Sequence, residues 1–290
     1  MIGTRPPERL RRAGRTIIEQ MGFSWAYDLS TPTCCAIIVL AWVAFAVAGI
    51  WVCAPAVALL CRAAPGSEAA RGHNEVVSYF LSAVGVFYGI TLGLIAVGTW
   101  TSFNEVESRV SHEASQIAAL YRDLDGYPEP VRSAARRELR EYTDYVIERA
   151  WPEQRKGRVP QGGNIIITRL QQVLNHFEPA TPGREVTHAE ALSKFNDLVT
   201  ARRLRLQSVS VGLSGAMWAL VLLGGVISVG VTWLFVCESR AAHALLAGMM
   251  AALIGLLIFI MVEMDSPFRG SFGIGPDAYV LVRDQELVEP

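Results

Sequence analysis

Apolar residues in this chain are gathered into four long runs that contain no aspartate, glutamate, lysine or arginine. The runs cover residues 29–61, 76–104, 206–237 and 241–262. Each is longer than the roughly 20 helical residues that cross the hydrocarbon core of a bilayer, which is about 30 Å thick. Buried helices of a large soluble protein are the alternative, but charge-free runs of this length are typical of transmembrane helices. The pattern predicts four spans, at residues 34–60, 76–102, 214–236 and 241–262.

The predicted spans form two hairpins with a long polar region between them. The first hairpin covers residues 34–102 and the second covers residues 211–262. The polar region, 103–210, reads as helical throughout, and tails of residues 1–33 and 263–290 complete the chain. We therefore predict an all-α membrane protein with four transmembrane helices in two hairpins and a helical domain between spans two and three.

The polar region begins with an apolar stripe that continues the second span. The members of the stripe are spaced three and four residues apart, which is typical of a helix that packs along another helix. They are Phe103, Val106, Val110, Ala114, Ile117, Tyr121 and Leu124. No proline or turn cluster interrupts residues 76–124, so we predict one helix about 75 Å long at 1.5 Å per residue.

The last helix of the polar region leads into the third span. Thr187 and Glu190 have capping-box spacing, which predicts that this helix begins near them. Pro179 and Pro182 are expected to end the helix before it. A cationic cluster near the membrane boundary suits anionic lipid headgroups, and a vestibule that attracts anions is the alternative. The cluster consists of Arg202, Arg203 and Arg205.

Charge composition supports a membrane location and predicts an orientation. Charged residues make up 18% of the 290 residues and hydrophobic residues 51%, whereas soluble domains carry about 25% charged residues. Lysine and arginine number 5 in residues 1–33 but only 3 in the two loops on the opposite side. Because cytoplasmic loops carry an excess of these residues, we expect both termini and residues 103–210 in the cytoplasm, with the chain in the cell inner membrane. The basic residues of the first tail include Arg9, Arg11, Arg12 and Arg15.

A search for catalytic chemistry finds no pattern that indicates an enzyme. The chain has no phosphate-binding glycine loop, no dinucleotide fingerprint and no nucleophile elbow. The histidines are scattered and form no metal-ligand cluster, so we expect no metal, no cofactor and no nucleic-acid partner. They are His73, His112, His176, His188 and His243.

The second span has two faces of interest. Gly85, Gly89 and Gly93 repeat every fourth residue, which leaves one face without side chains and allows another helix to approach closely. This packing seam could lie within one subunit or between subunits. A neighbouring arc is the candidate lining of a pore, since an apolar ring around a symmetry axis can gate by dewetting. The arc consists of Phe80, Val84, Phe87 and Thr91.

Charged residues mark the cytoplasmic ends of spans two and four. Glu105, Glu107 and Arg109 would lie at the cytoplasmic mouth of such a pore. At the end of span four, carboxylates at a helix C-terminus are disfavoured by the helix dipole, so a partner such as an arginine of the polar region is expected. An exposed, solvated exit is the alternative. This exit motif consists of Glu263, Asp265, Pro267 and Phe268.

Several of these motifs occur together in one known family. They are YGITLGLIAVGTW-x2-F-x2-V-x3-V-x2-EA-x6-YR over residues 88–122, then Ala150-Trp151-Pro152, then Trp218, and DSPFRG at residues 265–270. In this order they resemble the bestrophin-like family of bacterial and plant membrane proteins, over residues 30 to 280. True bestrophins are pentameric anion channels with four-helix transmembrane subunits and a helical cytosolic region. The chain departs from them after Phe268, where no run of acids like their calcium clasp follows.

The resemblance implies an oligomeric ion channel. We expect passive conduction, of anions by resemblance, through an axial pore lined by the second span. The expected partners are further copies of this chain, five by resemblance, together with membrane lipids and inorganic ions. A non-conducting membrane scaffold or envelope-stress sensor, whose cytoplasmic helices bind a partner, is the alternative.

Overall fold

The computed structural model describes residues 27, 29–60 and 65–287, and these residues contain helices and no strand. Four of the helices are long and apolar enough to cross a membrane, in agreement with the four predicted spans. The N-terminal arginines at positions 9, 11, 12 and 15, on which the predicted orientation rests, lie outside the described residues.

The helices follow one another with short connections. In chain order they are α1 (Thr31–Leu60), α2 (Glu68–Asp123), α3 (Val131–Tyr145), α4 (Trp151–Arg155), α5 (Gly163–Asn175), α6 (Pro182–Ser208), α7 (Gly215–Thr232), α8 (Arg240–Asp265) and α9 (Asp277–Gln285). A 3-10 turn, Leu124–Gly126, follows α2, and a π-helical segment, Val146–Ala150, joins α3 to α4.

The chain divides into two compact units. The apolar unit contains α1, α7, α8 and the part of α2 that ends at Thr101. The polar unit contains Ser102–Val211 and the described residues that follow Asp265. Helix α2 therefore belongs to both units and is continuous over 56 residues. This confirms the prediction of one uninterrupted helix from apolar into polar sequence.

Helices α1 and α8 form the core of the apolar unit. Gly255 of α8 allows close packing, because a methyl group added there would lie 3.1 Å from the Cα atom of Val39. Small and branched side chains such as Ala46, Ile50 and Ala251 fill the buried interface. Helix α7 joins this core through Trp218 and Val221.

The helix ends differ from the predicted span limits where capping hydrogen bonds or tertiary contacts determine where the helix begins or ends. Helix α2 begins at Glu68, because the Ser67 hydroxyl accepts a hydrogen bond from the Ala70 N–H at 3.2 Å. Helix α7 ends at Thr232, four residues before the predicted limit. The segment that follows is held instead by Asn74, whose side-chain amide both donates to and accepts from the backbone of Val236 at 2.9 Å.

The apolar stripe of α2 lies in the core of the polar unit. All of its members except Phe103 are buried there, among side chains of α3, α5, α6 and α9. The covering residues include Leu139, Tyr142, Leu170, Leu198 and Tyr279. The heptad-like spacing therefore predicted correctly which face of α2 packs against other helices.

The predicted start of α6 is wrong. The helix begins at Pro182, and the side chain of Thr181 caps it by accepting a hydrogen bond from the Arg184 N–H. Thr187 lies inside the helix, where its hydroxyl donates to the Gly183 carbonyl at 3.1 Å. Proline has a backbone angle suited to the first helical position, so Pro182 starts this helix rather than ending the previous one.

A leucine at position 255 tests the close approach of α1 and α8. We expect Gly255→Leu to lower the melting temperature of the detergent-solubilised protein, because overpacking against a backbone costs about 1–3 kcal/mol or more. The matched control is Gly230→Leu on α7, where an added Cβ meets no atom within 4 Å. Equal melting temperatures for the two variants would contradict the packing described here.

Candidate functional site

The apolar half of α2, residues 76–101, is covered by its own chain at very few positions. Only Val77, Leu92 and Thr99 are buried in this range. The side chains of Phe80 and Phe87, two of the proposed pore-lining residues, are 56% and 75% exposed. This surface is apolar and open in a single chain.

The other two proposed lining residues, Val84 and Thr91, are half-buried. The Thr91 hydroxyl donates to the Phe87 carbonyl at 2.8 Å, so its hydrogen atom is already used within the helix. The four residues follow one another at steps of four, three and four, which places them along one side of α2.

The glycine face of α2 is also open. A Cβ atom added at Gly85, Gly89 or Gly93 would meet no atom within 4 Å. Within the part of the chain that the structure describes, no side chain or helix packs against this face. The seam therefore stays a prediction for contact between separate copies of the chain.

Two contacts hold the apolar half of α2 to its own unit. The ring of Tyr88 occupies the space beside Gly224 and Gly225 of α7, and its hydroxyl donates to the Val221 carbonyl at 2.9 Å. Just before this half, the Nε2 atom of His73 lies 2.8 Å from the Leu234 carbonyl oxygen. Phe80, Val84 and Phe87 lie between these two contacts, and Thr91 follows Tyr88 by three residues.

The charged residues beyond this half do not form one cluster. Glu105 and Arg109 form an ion pair at 2.5 Å, and Arg109 also donates to the Ser208 hydroxyl of α6 at 3.0 Å. Glu107 is exposed and lies on another side of the helix, since two residues correspond to about 200° of rotation. The structure brings together two of the three residues proposed for the mouth.

Ideal helix geometry relates this ion pair to the proposed lining residues. Eighteen residues make five turns and about 27 Å of α-helix. Glu105 follows Phe87 by eighteen residues, and Arg109 follows Thr91 by the same number.

A buried ion pair between Glu113 of α2 and Arg205 of α6 lies at the centre of the polar unit. Their side chains are 0% and 1% exposed. The Arg205 Nε atom donates to one Glu113 carboxylate oxygen at 2.7 Å, and Nη2 donates to the other at 3.1 Å. This two-point geometry is the strongest arrangement available to a guanidinium and a carboxylate.

Neighbouring helices complete this charge centre. The Tyr142 hydroxyl of α3 donates to Glu113 at 2.6 Å, and the Gln154 side-chain oxygen of α4 accepts from Arg205. The rings of Trp151 and Tyr279 flank the guanidinium, with its Cζ atom 5.8 and 5.7 Å from their centroids. Side chains from α2, α3, α4, α6 and α9 thus meet at one point.

The π-helical segment explains how α4 reaches this centre. Pro152 has no backbone N–H, and its ring would clash with the carbonyl four residues earlier, so a regular α-helix cannot continue through it. The chain widens into the π-helical segment just before Trp151 instead. Trp151 and Gln154 then both face Arg205, and such π segments are frequent at functional sites.

Three groups of the charge centre have raised pKa values. Burial is the largest single influence on Arg205 and opposes its charge, but Glu113, Tyr279 and Tyr142 together outweigh it and raise the pKa of Arg205 well above its ordinary value. Burial, and then the negative charge of Glu113, raises the pKa of the Tyr142 hydroxyl well above its ordinary value. The same two causes raise the pKa of Tyr279. Both tyrosines therefore stay neutral at physiological pH, and Arg205 stays charged.

This centre corrects the interpretation of the arginine cluster near the third span. Arg205 is buried with Glu113, so it cannot contact lipid headgroups. Arg202 is half-buried near Gly163, and Arg203 is exposed. The sequence did contain a signal for the buried pair, because Glu113 follows Val110 by three residues and precedes Ile117 by four, which places a carboxylate on the buried stripe.

The exit of α8 is buried rather than solvated. Asp265 accepts a hydrogen bond from the Leu213 N–H at 2.5 Å, and Glu263 is buried in the same unit. Phe268 packs edge-on against Trp151, with ring centroids 5.6 Å apart, and the Pro267 carbonyl accepts from the Ile274 N–H at 2.8 Å. The alternative of an exposed exit is therefore wrong, and Phe268 belongs to the surroundings of the charge centre.

The described residues contain no group of three or more histidine, cysteine, aspartate or glutamate side chains arranged to hold a metal ion. Among the polar clusters of the described chain are the charge centre, the ion pair at Arg109, the buried acids of α8 and Arg169 with its partners Glu138 and Glu141.

Removing one member of the buried pair tests its importance for the fold. We expect Glu113→Gln to destabilise the protein by about 3–5 kcal/mol, because the Arg205 charge would remain buried without a counter-charge. The double variant Glu113→Leu with Arg205→Met should recover much of that loss. The measurement is the melting temperature in detergent, and the control is Arg122→Gln, which breaks the surface pair with Glu286. A melting temperature for Glu113→Gln equal to that of the control would exclude this role.

Comparison with known proteins agrees with this architecture. The family model of the bestrophin-like domain matches residues 21–279. Comparison with curated protein sequences gave no match. A single-substitution variant of a bacterial bestrophin homologue from Klebsiella pneumoniae has a TM-score of 0.64 at 11% identity, over 87% of this chain and 97% of that one. A further structure of a bestrophin homologue from that organism, solved by Zn-SAD phasing, has a TM-score of 0.62 at 13% identity, over 87% and 96%.

At these identities the structural likeness shows a common fold. The family match begins before α1 and extends into α9, and so includes both units. This chain belongs to the bestrophin-like family.

Proposed function

We propose that this chain is one subunit of an oligomeric ion channel whose axial pore is lined by the apolar half of α2. The activity is passive conduction, and anions are the favoured ions because of the family resemblance. The other subunits are copies of the same chain, five in all by the same resemblance. The assembly lies in the cell inner membrane with the polar unit and both termini in the cytoplasm, as the arginines of residues 1–33 support.

The observation that carries this proposal is the exposure of α2. In its most apolar 18-residue window only 6% of the residues are buried, compared with 39% for the windows of α7 and α8. Lipid can cover part of such a helix, but it gives no reason for an open glycine face beside a row of aromatic and branched residues. A ring of copies around an axis accounts for both surfaces at once.

The glycine face supplies the contact between copies. Small residues in a membrane helix let a neighbouring backbone approach closely, and van der Waals packing then drives association. Since a Cβ atom added at Gly89 meets no atom of the described residues within 4 Å, this surface is available to a neighbour.

The arc beside the glycines supplies the neck of the pore. Phe80, Val84, Phe87 and Thr91 would form successive rings, mainly apolar, about the axis. The run from Val76 to Asn104 has no ionisable side chain, so the neck would control ions by its width and by dewetting. Selectivity by charge must then arise outside the neck.

The scaffold alternative has less support. It requires a surface of the cytoplasmic helices that binds a partner, and the apolar stripe of α2 does not offer one, because Val106, Val110, Ile117 and Tyr121 are buried within the polar unit. The open surface of α2 is the apolar half instead.

Truncation of Phe87 tests the neck. We expect Phe87→Ala to raise the ion flux of reconstituted liposomes severalfold, because a wider and less apolar ring dewets less readily. The control is Leu253→Ala, an exposed apolar residue of α8. If the parent protein passes no ions at any voltage or calcium concentration, the channel proposal fails, whereas equal flux in both variants would remove Phe87 from the pore.

Filling the glycine face tests the assembly. We expect Gly89→Leu to dissociate the oligomer, because the side chain would separate the two backbones. Native mass measurement in detergent gives the number of subunits. Gly72→Leu is the matched control, since it adds the same side chain to the first turns of the same helix, where nothing lies within 4 Å. An unchanged mass for Gly89→Leu would place the subunit contact elsewhere.

A further inference from the structure

The ion pair between Glu105 and Arg109 lines a surface cavity of about 240 Å³ in the polar unit. One wall is formed by four residues on a single side of α2, which follow one another along the chain at intervals of three, one and three residues. The opposite wall belongs to α6. The lining residues are Glu105, Ser108, Arg109, His112, Ala201 and Leu204.

The guanidinium in this cavity is a fixed charge, whereas the carboxylate is not. Arg109 is 28% exposed and is held from α6 by the Ser208 hydroxyl at 3.0 Å. Glu105 is 60% exposed, and the contact that positions its carboxylate is the ion pair with Arg109. A small anion that enters the cavity can therefore displace Glu105 without moving Arg109.

The remaining groups in the cavity suit a small anion. A guanidinium has five N–H donors, and the two bonds to Ser208 and Glu105 leave others for a ligand. Ser108 adds a hydroxyl donor and His112 adds a ring N–H within the same lining. Ala201 and Leu204 offer no hydrogen-bond acceptor in their side chains, so the apolar wall does not compete for the donors.

The competing carboxylate gives this cavity the affinity that conduction needs. A permeant ion must bind well enough to enter but weakly enough to leave. Without Glu105 the arginine would hold an anion more tightly, and a free glutamate would repel it. Because Glu105 contests the same guanidinium, each anion that binds displaces an existing partner, and the site releases it readily.

We propose that this cavity is an inner anion-binding site of the permeation path, in which Arg109 binds a passing monovalent inorganic anion and Glu105 weakens that binding by competition. The proposal rests on the channel function given above. Glu105 and Arg109 are among the residues that the sequence places at the cytoplasmic mouth of the proposed pore.

Conductance of single channels in planar bilayers, measured against chloride concentration, tests the site. We expect Glu105→Gln to lower the half-saturating chloride concentration about tenfold, since one competing charge-assisted hydrogen bond is removed. The maximal conductance should fall in the same variant because chloride leaves more slowly. Arg109→Gln should abolish saturation in this range and shift the reversal potential in asymmetric potassium chloride toward that of potassium.

Glu107→Gln is the matched control. It removes the same charge two residues away on another side of α2, where Glu107 does not line the cavity. If Glu105→Gln and Glu107→Gln change the half-saturating concentration equally, the effect is one of general surface charge, and the proposed site is wrong. A reversal potential in the parent protein that shows potassium as the permeant ion would also overturn the site, while the channel would stand.

The two proposals fail in different ways. No conductance in any variant contradicts the channel itself. If the protein conducts but neither Glu105→Gln nor Arg109→Gln changes the dependence of conductance on chloride concentration, only the binding site is contradicted. All three residues are at least partly exposed, so the oligomer mass and melting temperature of each variant should match the parent, and these measurements confirm that each variant is folded.

Discussion

The ion pair between Glu113 and Arg205 is the constraint on which the arrangement of the polar unit depends. Two charges that are almost wholly removed from water are costly unless every remaining hydrogen-bonding position is satisfied. Tyr142 and Gln154 satisfy two of these positions, so α3 and α4 must both approach the pair. A buried pair of this kind contributes less to net stability than to the selection of one arrangement. Here it selects the arrangement in which five helices converge on one point.

The selection of one arrangement by the Glu113–Arg205 pair matters most for the position of α2 in the polar unit. Its apolar stripe repeats almost every seven residues, so a shift by one repeat would keep apolar side chains facing the core and would cost little. A single carboxylate within the stripe removes this freedom, as a polar residue does in the seam of a coiled coil.

The sequence predicted those parts of the structure that depend on local pattern. Runs without charge predicted the four long apolar helices, and steps of three and four predicted the buried face of α2. Arg205 could not be assigned in this way, because its partner lies 92 residues earlier in the chain and a charged residue near a span is more often solvated. Pro182 was misinterpreted for a different reason, since proline is compatible both with the end of one helix and with the first turn of the next. The buried acid Asp265 depends on a backbone N–H of a distant segment, which leaves no trace in the pattern of side chains.

The two halves of α2 differ in how far the chain itself covers them, and this difference bears on the proposed ion selection. In the polar half the chain covers its own apolar stripe, so folding of that unit needs no second molecule. In the apolar half the surface is left open, and nothing ionisable occurs between Glu75 and Glu105. In the proposed channel, a neck of this composition would exclude or admit ions without distinguishing their sign strongly. The charges that follow this segment on α2 are Glu105, Glu107 and Arg109, and Glu105 and Arg109 form an ion pair at 2.5 Å. In that proposal the sign of the permeant ion would depend on which charge of the pair is free to move aside, and the Ser208 hydroxyl holds Arg109 at 3.0 Å.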